Sequence, residues 1–176
     1  IIKAEPNNIL ANNNLASLMN IKKKYDHALI LLNNILKLKP NFVDALNNKG
    51  ISLIGLNNYD EALKIYNQLL ELKPDFLKAI VNKANCLKQM GYQEEALKYY
   101  KKASDIEPKN IEVIFNSAIC YFELNQLDES EKLYNETINL NPSLIDANFG
   151  LSIIKLLKGN YEEGLSLYEW RKKRSS

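Results

Sequence analysis

Residues 43–76 read VDALNNKGISLIGLNNYDEALKIYNQLLELKPDF, and this stretch predicts the fold. It reads as a helix, a short turn and a second helix that stops at Pro74, because proline lacks the N–H and clashes with the preceding turn. The prolines of the chain all lie 34 residues apart, and they are Pro6, Pro40, Pro74, Pro108 and Pro142. A fixed period of this length indicates a repeat architecture.

Counting from the prolines divides the chain into repeats. Four full repeats span residues 9–42, 43–76, 77–110 and 111–144, and a last one spans 145–176. Residues 1–8, IIKAEPNN, match the tail of a repeat, LLELKPDF. We therefore expect one array over residues 1–176 that begins inside an earlier repeat and is a fragment of a longer protein. Asn148, Lys155 and Lys158 replace apolar residues on the packing face of the last repeat, which suggests a capping repeat.

Small residues recur at two positions of every repeat, where they let the two helices approach closely. The eighth position holds Ala16, Gly50, Ala84, Ala118 and Ser152, and the twentieth holds Ala28, Ala62, Ala96, Ser130 and Gly164. With the late proline, this pattern resembles the tetratricopeptide repeat (TPR). The resemblance implies an all-α fold, a right-handed superhelical solenoid of stacked helix–turn–helix repeats. It also implies that the first helix of each pair lines a concave groove.

Composition argues against several classes of partner. The charge is nearly balanced, with 23 basic and 21 acidic residues and a net charge of +2, so we expect no nucleic-acid partner. No apolar run approaches the ~18 residues of a membrane span, so we expect no membrane insertion. Cys86 and Cys120 are the only cysteines. We interpret them as small buried packing residues in a reducing compartment, and predict a cytoplasmic location.

Signals of catalysis are missing. His27 is the only histidine, and no cysteine or second histidine lies near it in sequence to complete a metal site. No glycine-rich phosphate loop or nucleophile motif occurs. We therefore predict a fragment that is not an enzyme and needs no cofactor or metal.

The candidate binding surface follows from the helical wheel of each first helix. Positions 2, 6, 9 and 13 form a stripe opposite the packing face, and the family resemblance places that stripe in the groove. The sixth position holds Asn14, Asn48, Asn82 and Asn116, and then Gly150. Such amides hold a peptide backbone in O-linked N-acetylglucosamine transferases, since an amide both donates and accepts. In other members the same amide bonds locally, and both interpretations stay open.

The groove is predicted to change from polar to apolar along the chain. Early repeats offer amides such as Asn47, and Asn85 follows in the third repeat, whereas later ones offer Phe115, Ile119, Phe122, Phe149, Ile153 and Leu156. We expect an extended peptide held by amides at the N-terminal end, with apolar side chains anchored near Phe115 and Phe149. The alternative is that a bend of the array or the C-terminal segment covers this apolar surface.

The sequence favours a protein-binding scaffold, but two other functions stay open. Residues 159–174, GNYEEGLSLYEWRKKR, resemble the closing repeat of bacterial proteins in which a TPR array precedes a glycosyltransferase domain. The chain would then be the recognition arm of a larger enzyme. The other alternative is a structural spacer or self-association module. A clamp for the acidic tails of chaperones is rejected, because only fragments of its lysine and asparagine set are present.

Overall fold

The computed structural model describes residues 8–174, which contain ten α-helices, a final 3₁₀ helix and no β-strand. The first helices of the repeats are α1 (Ile9–Ile21), α3 (Val43–Gly55), α5 (Leu77–Gln89), α7 (Ile111–Glu123) and α9 (Ile145–Leu157). The second helices are α2 (Tyr25–Leu38), α4 (Tyr59–Leu72), α6 (Gln93–Ile106), α8 (Leu127–Leu140) and α10 (Tyr161–Tyr168), and the 3₁₀ helix is Glu169–Arg174. The predicted all-α class is confirmed. Residues 1–7, most of the segment predicted to end an earlier repeat, lie outside the described residues.

Proline ends the second helices as expected. Helices α2, α4, α6 and α8 stop two residues before each proline, at Leu38, Leu72, Ile106 and Leu140. The residue after each helix still donates its N–H to the last turn, as Lys39 N does to Ile35 O at 2.8 Å. The next residue lacks an N–H, so the α-helical ladder cannot continue through it.

The turn between the two helices of each repeat contains a left-handed residue that the sequence interpretation did not single out. These residues also lie 34 apart, and they are Lys23, Asn57, Gly91, Asn125 and Gly159, with φ between 56° and 84°. Glycine and asparagine tolerate this conformation best and commonly follow a helix. Lys23 has the same conformation, and the preference of glycine and asparagine for it does not explain a lysine there.

The chain divides into two compact units, unit 1 (Ile1–Met90) and unit 2 (Gly91–Ser176). The third repeat contributes α5 to unit 1 and α6 to unit 2, and the single array over residues 1–176 stays a prediction. All ten small residues at the eighth and twentieth positions are buried, as expected from close helix contact. At Gly50 the space is so tight that a Cβ would lie 2.4 Å from Tyr66 Cζ.

Each unit has its own apolar core. In unit 1, Leu32 and Ile35 pack with the small residues of α1 to α3, and Tyr66 and Leu69 are buried farther along. In unit 2, Tyr134, Leu151 and Ile154 pack between α7, α8 and α9. Cys86 and Cys120 are buried free thiols, which confirms that they are packing residues.

Candidate functional site

An apolar pocket of about 380 Å³ lies within unit 2, among α7, α8 and α9. It is lined by Phe115, Ile119, Phe122, Tyr134, Asp146, Phe149, Gly150 and Ile153. The structure therefore brings together three of the predicted site residues, Phe115, Ile119 and Phe149. Phe122 and Ile153, which the sequence placed on the same apolar surface, also line it.

Tyr134 is the pocket residue that the sequence interpretation missed. It lies on α8, the second helix of its repeat, whereas the sequence interpretation sought the binding surface on the first helices. Its ring meets Phe115 edge-on, with 6.0 Å between the ring centroids and 64° between the planes. The signal that could have found it is Gly150, which breaks the asparagine column because the Tyr134 ring occupies that space.

The C-terminal segment contacts one wall of the pocket. The rings of Phe149 and Tyr168 lie 5.5 Å apart, and the Arg171 guanidinium lies over the Tyr168 ring at 4.3 Å from its centroid. This stack holds Phe149 from the side of α10. The C-terminal segment therefore covers one side of Phe149. To that extent it covers the apolar surface, as the alternative interpretation predicted.

Burial and a few carboxylates raise the pKa values of two buried tyrosines of unit 2. Burial raises the pKa of Tyr134, and Glu123 and Asp146 raise it further. Burial also raises the pKa of Tyr100, with contributions from Cys120 and from the carboxylates of Glu112 and Glu123. The pocket thus combines apolar walls with one carboxylate, Asp146, in its lining.

In unit 1, the predicted asparagine column forms hydrogen bonds between successive first helices. Asn48 Nδ2 donates to Asn13 Oδ1 at 3.0 Å, joining α3 to α1. Asn82 Nδ2 donates to Asn47 Oδ1 at 3.1 Å, joining α5 to α3. Each bond runs from the sixth position of one repeat to the fifth position of the repeat before it. We call these two pairs the amide ladder.

A second set of polar contacts lies beside the ladder. Asn20 Nδ2 donates to the backbone oxygen of Asn48 at 2.9 Å, and Ser52 Oγ donates to Asn20 Oδ1 at 2.7 Å. Asn20 and Ser52 are both buried, so these bonds satisfy polar atoms that would otherwise be costly. The amides of unit 1 therefore stabilise the contact between α1 and α3.

The other predicted amides differ in their surroundings. Asn14 is exposed, and its side chain makes no hydrogen bond to any part of the chain that the structure describes. Asn116 is buried and Asn85 is half-buried. The sixth position is thus a regular column in sequence but not a uniform surface in the structure.

The polar residues on the packing face of α9 bond back to the fold. Asn148 Nδ2 donates to the backbone oxygens of Pro142 and Leu144, at 3.1 and 3.0 Å. Lys155 pairs with Glu131 at 2.9 Å and with Glu163 at 2.8 Å. Lys158 pairs with Asp128 at 2.5 Å and with Glu131 at 2.6 Å. These ion pairs join the last repeat's first helix and the residue after it to α8 and α10, and the capping role of this repeat stays a prediction.

A metal site and a membrane span are two further features that the part of the chain described by the structure could hold. His27 is exposed, and residues 8–174 contain no group of three metal-ligating side chains. None of the helices described is long and apolar enough to cross a membrane. The cytoplasmic location stays a prediction.

Two family models match the chain. The one described as "Psidin, N-terminal TPR repeats region" matches residues 51–163, and the one described as "Tetratricopeptide repeat" matches residues 21–79. No curated protein matches the chain. The model of the first family thus covers more than half of the sequence.

Solved structures with the same fold match nearly the whole chain. MamA 41-end from Desulfovibrio magneticus RS-1 is 18% identical and has a TM-score of 0.83, with 97% of this chain and 98% of that one covered. YrrB, described as a TPR protein with an unusual peptide-binding site, is 19% identical with a TM-score of 0.72. That match covers 90% of this chain and 82% of YrrB. Together with the family models, these matches show that the chain belongs to the tetratricopeptide-repeat family.

Proposed function

We propose that the chain is a non-catalytic interaction scaffold that binds an extended segment of a partner protein. Its unit 2 pocket holds a bulky apolar side chain of that segment. The observation that carries this proposal is that Phe115, Ile119 and Phe149 line one pocket. The description of YrrB, which has the same fold and a peptide-binding site, supports the same kind of partner.

The size and walls of the pocket suit one large side chain. Its volume of about 380 Å³ lies within the range of about 300–1,000 Å³ that is usual for ligand pockets. Transfer of a leucine or phenylalanine side chain from water into apolar surroundings contributes about 1.5–3 kcal/mol. Aromatic walls give rigid contact area at low entropic cost, which is why such residues dominate binding energy at interfaces.

The asparagine column takes a different role in this proposal. In unit 1 its amides first hold adjacent helices together, through the Asn13–Asn48 and Asn47–Asn82 pairs. The Oδ1 atoms of Asn48 and Asn82 accept no hydrogen bond from residues 8–174, so each can accept one from a peptide N–H. In this proposal the amides of unit 1 hold neighbouring helices together and, in addition, contact the peptide.

The test is selection of binders from a library of random peptides displayed on phage, with the whole chain as bait. Selected peptides are expected to share a bulky apolar residue. Ile119→Ala should weaken their binding about tenfold, equivalent to ~1.4 kcal/mol. Ile51→Ala is the matched control, because Ile51 is half-buried at the same repeat position in unit 1. Circular dichroism checks that both variants fold.

Two results would overturn the proposal. One is a set of selected peptides without a shared apolar residue. The other is an Ile119→Ala variant that binds the selected peptides as tightly as the Ile51→Ala variant does. Neither the glycosyltransferase arm nor the spacer is favoured by a feature of the pocket, so both stay predictions from the sequence.

A further inference from the structure

The hydroxyl of Tyr134 is a hydrogen-bonding group at the wall of the unit 2 pocket. A Cβ on Gly150 would lie 2.8 Å from the hydroxyl oxygen, and both residues line the pocket. The hydroxyl forms no hydrogen bond with the residues that the structure describes, and Glu123 and Asp146 act on it through their charge alone. It can therefore form one with a ligand, as donor or as acceptor.

The tyrosine at the same repeat position in unit 1 has a different environment. Tyr66 is fully buried, and its hydroxyl has no hydrogen-bond partner among the described residues. Tyr134 keeps 5% of its surface exposed and lines the pocket. A bound side chain can therefore reach the hydroxyl of Tyr134, whereas the fold encloses that of Tyr66. The two tyrosines form a matched pair for experiments.

Polar side chains are few in this pocket. Among the eight residues that line it, Tyr134 and Asp146 are the two with polar side chains, and Asp146 is already engaged within the chain. Burial holds the pKa of the Tyr134 hydroxyl well above its ordinary value, so the group is neutral at neutral pH and keeps its proton to donate. In a pocket with mainly apolar walls, the few polar groups set orientation and specificity.

We propose that the bulky side chain bound in the unit 2 pocket is a tyrosine, and that the Tyr134 hydroxyl recognises it through a hydrogen bond. This inference rests on the proposed function, because it concerns the same pocket. The ring of the bound tyrosine contacts apolar walls such as Phe115 and Phe149, and its hydroxyl meets that of Tyr134. A phenylalanine in its place would take water from the Tyr134 hydroxyl without replacing the hydrogen bond, which is costly.

The test uses three synthetic probe peptides that share the sequence of one library-selected peptide and differ only at the bulky residue. This residue is tyrosine in the first probe, 4-methylphenylalanine in the second and phenylalanine in the third. The methyl group of the second probe takes the place of the hydroxyl but cannot form a hydrogen bond. Fluorescence anisotropy measures their binding to the whole chain. We expect the tyrosine probe to bind about tenfold more tightly than either of the others.

A variant assigns the preference to the Tyr134 hydroxyl. Tyr134→Phe removes the hydroxyl and keeps the ring, and it should bring the tyrosine and 4-methylphenylalanine probes within about twofold of each other. The two probes and the two proteins form a double-mutant cycle, which isolates the interaction between the two hydroxyls. Tyr66→Phe is the matched control, because the Tyr66 hydroxyl is enclosed in unit 1, and it should leave the preference unchanged. Circular dichroism checks that both variants fold.

The outcomes separate this inference from the function on which it rests. If the phenylalanine probe binds, and Ile119→Ala weakens it, but the tyrosine and 4-methylphenylalanine probes bind equally, then the inference is overturned and the pocket proposal stands. A preference for tyrosine that survives Tyr134→Phe also overturns the inference. If no probe binds, or if Ile119→Ala has no effect on any of them, then the proposed function is overturned as well.

Discussion

The Tyr134 ring occupies the space in which a side chain at position 150 would begin, since a Cβ on Gly150 would lie 2.5 Å from Tyr134 Cζ. Gly150 belongs to the repeat position that holds asparagine in the four preceding repeats. The exchange of asparagine for glycine lets the Tyr134 ring reach α9 and line the pocket beside Phe115. The end of the asparagine column and the existence of the pocket therefore have one cause.

Gly150→Ala is predicted to destabilise the chain by about 1–3 kcal/mol, because the added methyl group forces the Tyr134 ring to move. The free energy of unfolding in urea measures the cost. The same substitution should cost less in a Tyr134→Leu background, where the ring is absent. An equal cost in both backgrounds would show that the close approach of the ring is not what excludes a side chain at this position.

Asn48→Ala is predicted to reduce the free energy of unfolding by about 1 kcal/mol, because it removes the hydrogen bond to Asn13. Asn14→Ala is the control, and it should change stability by less than about 0.5 kcal/mol, since Asn14 is exposed. If Asn48→Ala costs no more than Asn14→Ala, then the amide ladder does not stabilise unit 1. The binding role of the column would then be favoured.

Stability is predicted to fall in alkaline solution. Burial, with a smaller contribution from Asp60, raises the pKa of the Cys86 thiol from 9.0 to about 11. The unfolded chain therefore loses this proton at lower pH than the folded chain does. The contribution of the neutral Cys86 thiol to the free energy of unfolding is complete below about pH 9. It is lost as the pH rises from about 9 to about 11. Urea unfolding at a series of pH values should show a shallower alkaline decline for Cys86→Ala, and identical declines would contradict this.

The ion pairs of α9 predict the opposite dependence in acid. Hydrogen bonds from Lys158 and Lys155 hold the pKa of Glu131 below its usual value of 4.5. The stabilisation is present above that value and is lost as the pH falls through the lower pKa of the folded state. Glu131→Gln should cost roughly 1 kcal/mol near neutral pH and flatten the acid decline. Glu129→Gln on the exposed side of α8 is the control, and an equal effect of the two substitutions would contradict the assignment.

The period of 34 residues was enough to predict the helices, because it locates both the small residues that must be buried and the prolines that must end a helix. It could not predict the amide ladder. A helical wheel places Asn48 on one face of α3. The hydrogen bond from Asn48 to Asn13 depends in addition on the distance between α1 and α3 and on their relative rotation. The sequence also did not predict the ion pair between Lys155 and Glu131. A lysine on a packing face suggests a capping repeat, and its acidic neighbour on α8 is identified only in the structure.

The sequence predicted only some of the residues that line the pocket. Phe115, Ile119 and Phe149 could be found because large apolar residues on or beside the groove stripe are unusual. Tyr134 lies on a second helix, α8, and the wheel of the first helices could not show it. The Tyr134 ring lines the pocket because Gly150, in the next repeat, leaves room for it. This contact joins two repeats, so the sequence of one repeat alone could not predict it.

The measurement that tests the pocket most directly is an NMR titration of isoleucine methyl groups in the whole chain with a peptide selected from the library. The account predicts that the methyl signals of Ile119 and Ile153 shift as the peptide binds, whereas that of Ile51 stays in place. Shifts at Ile51 with unmoved signals from Ile119 and Ile153 would contradict it.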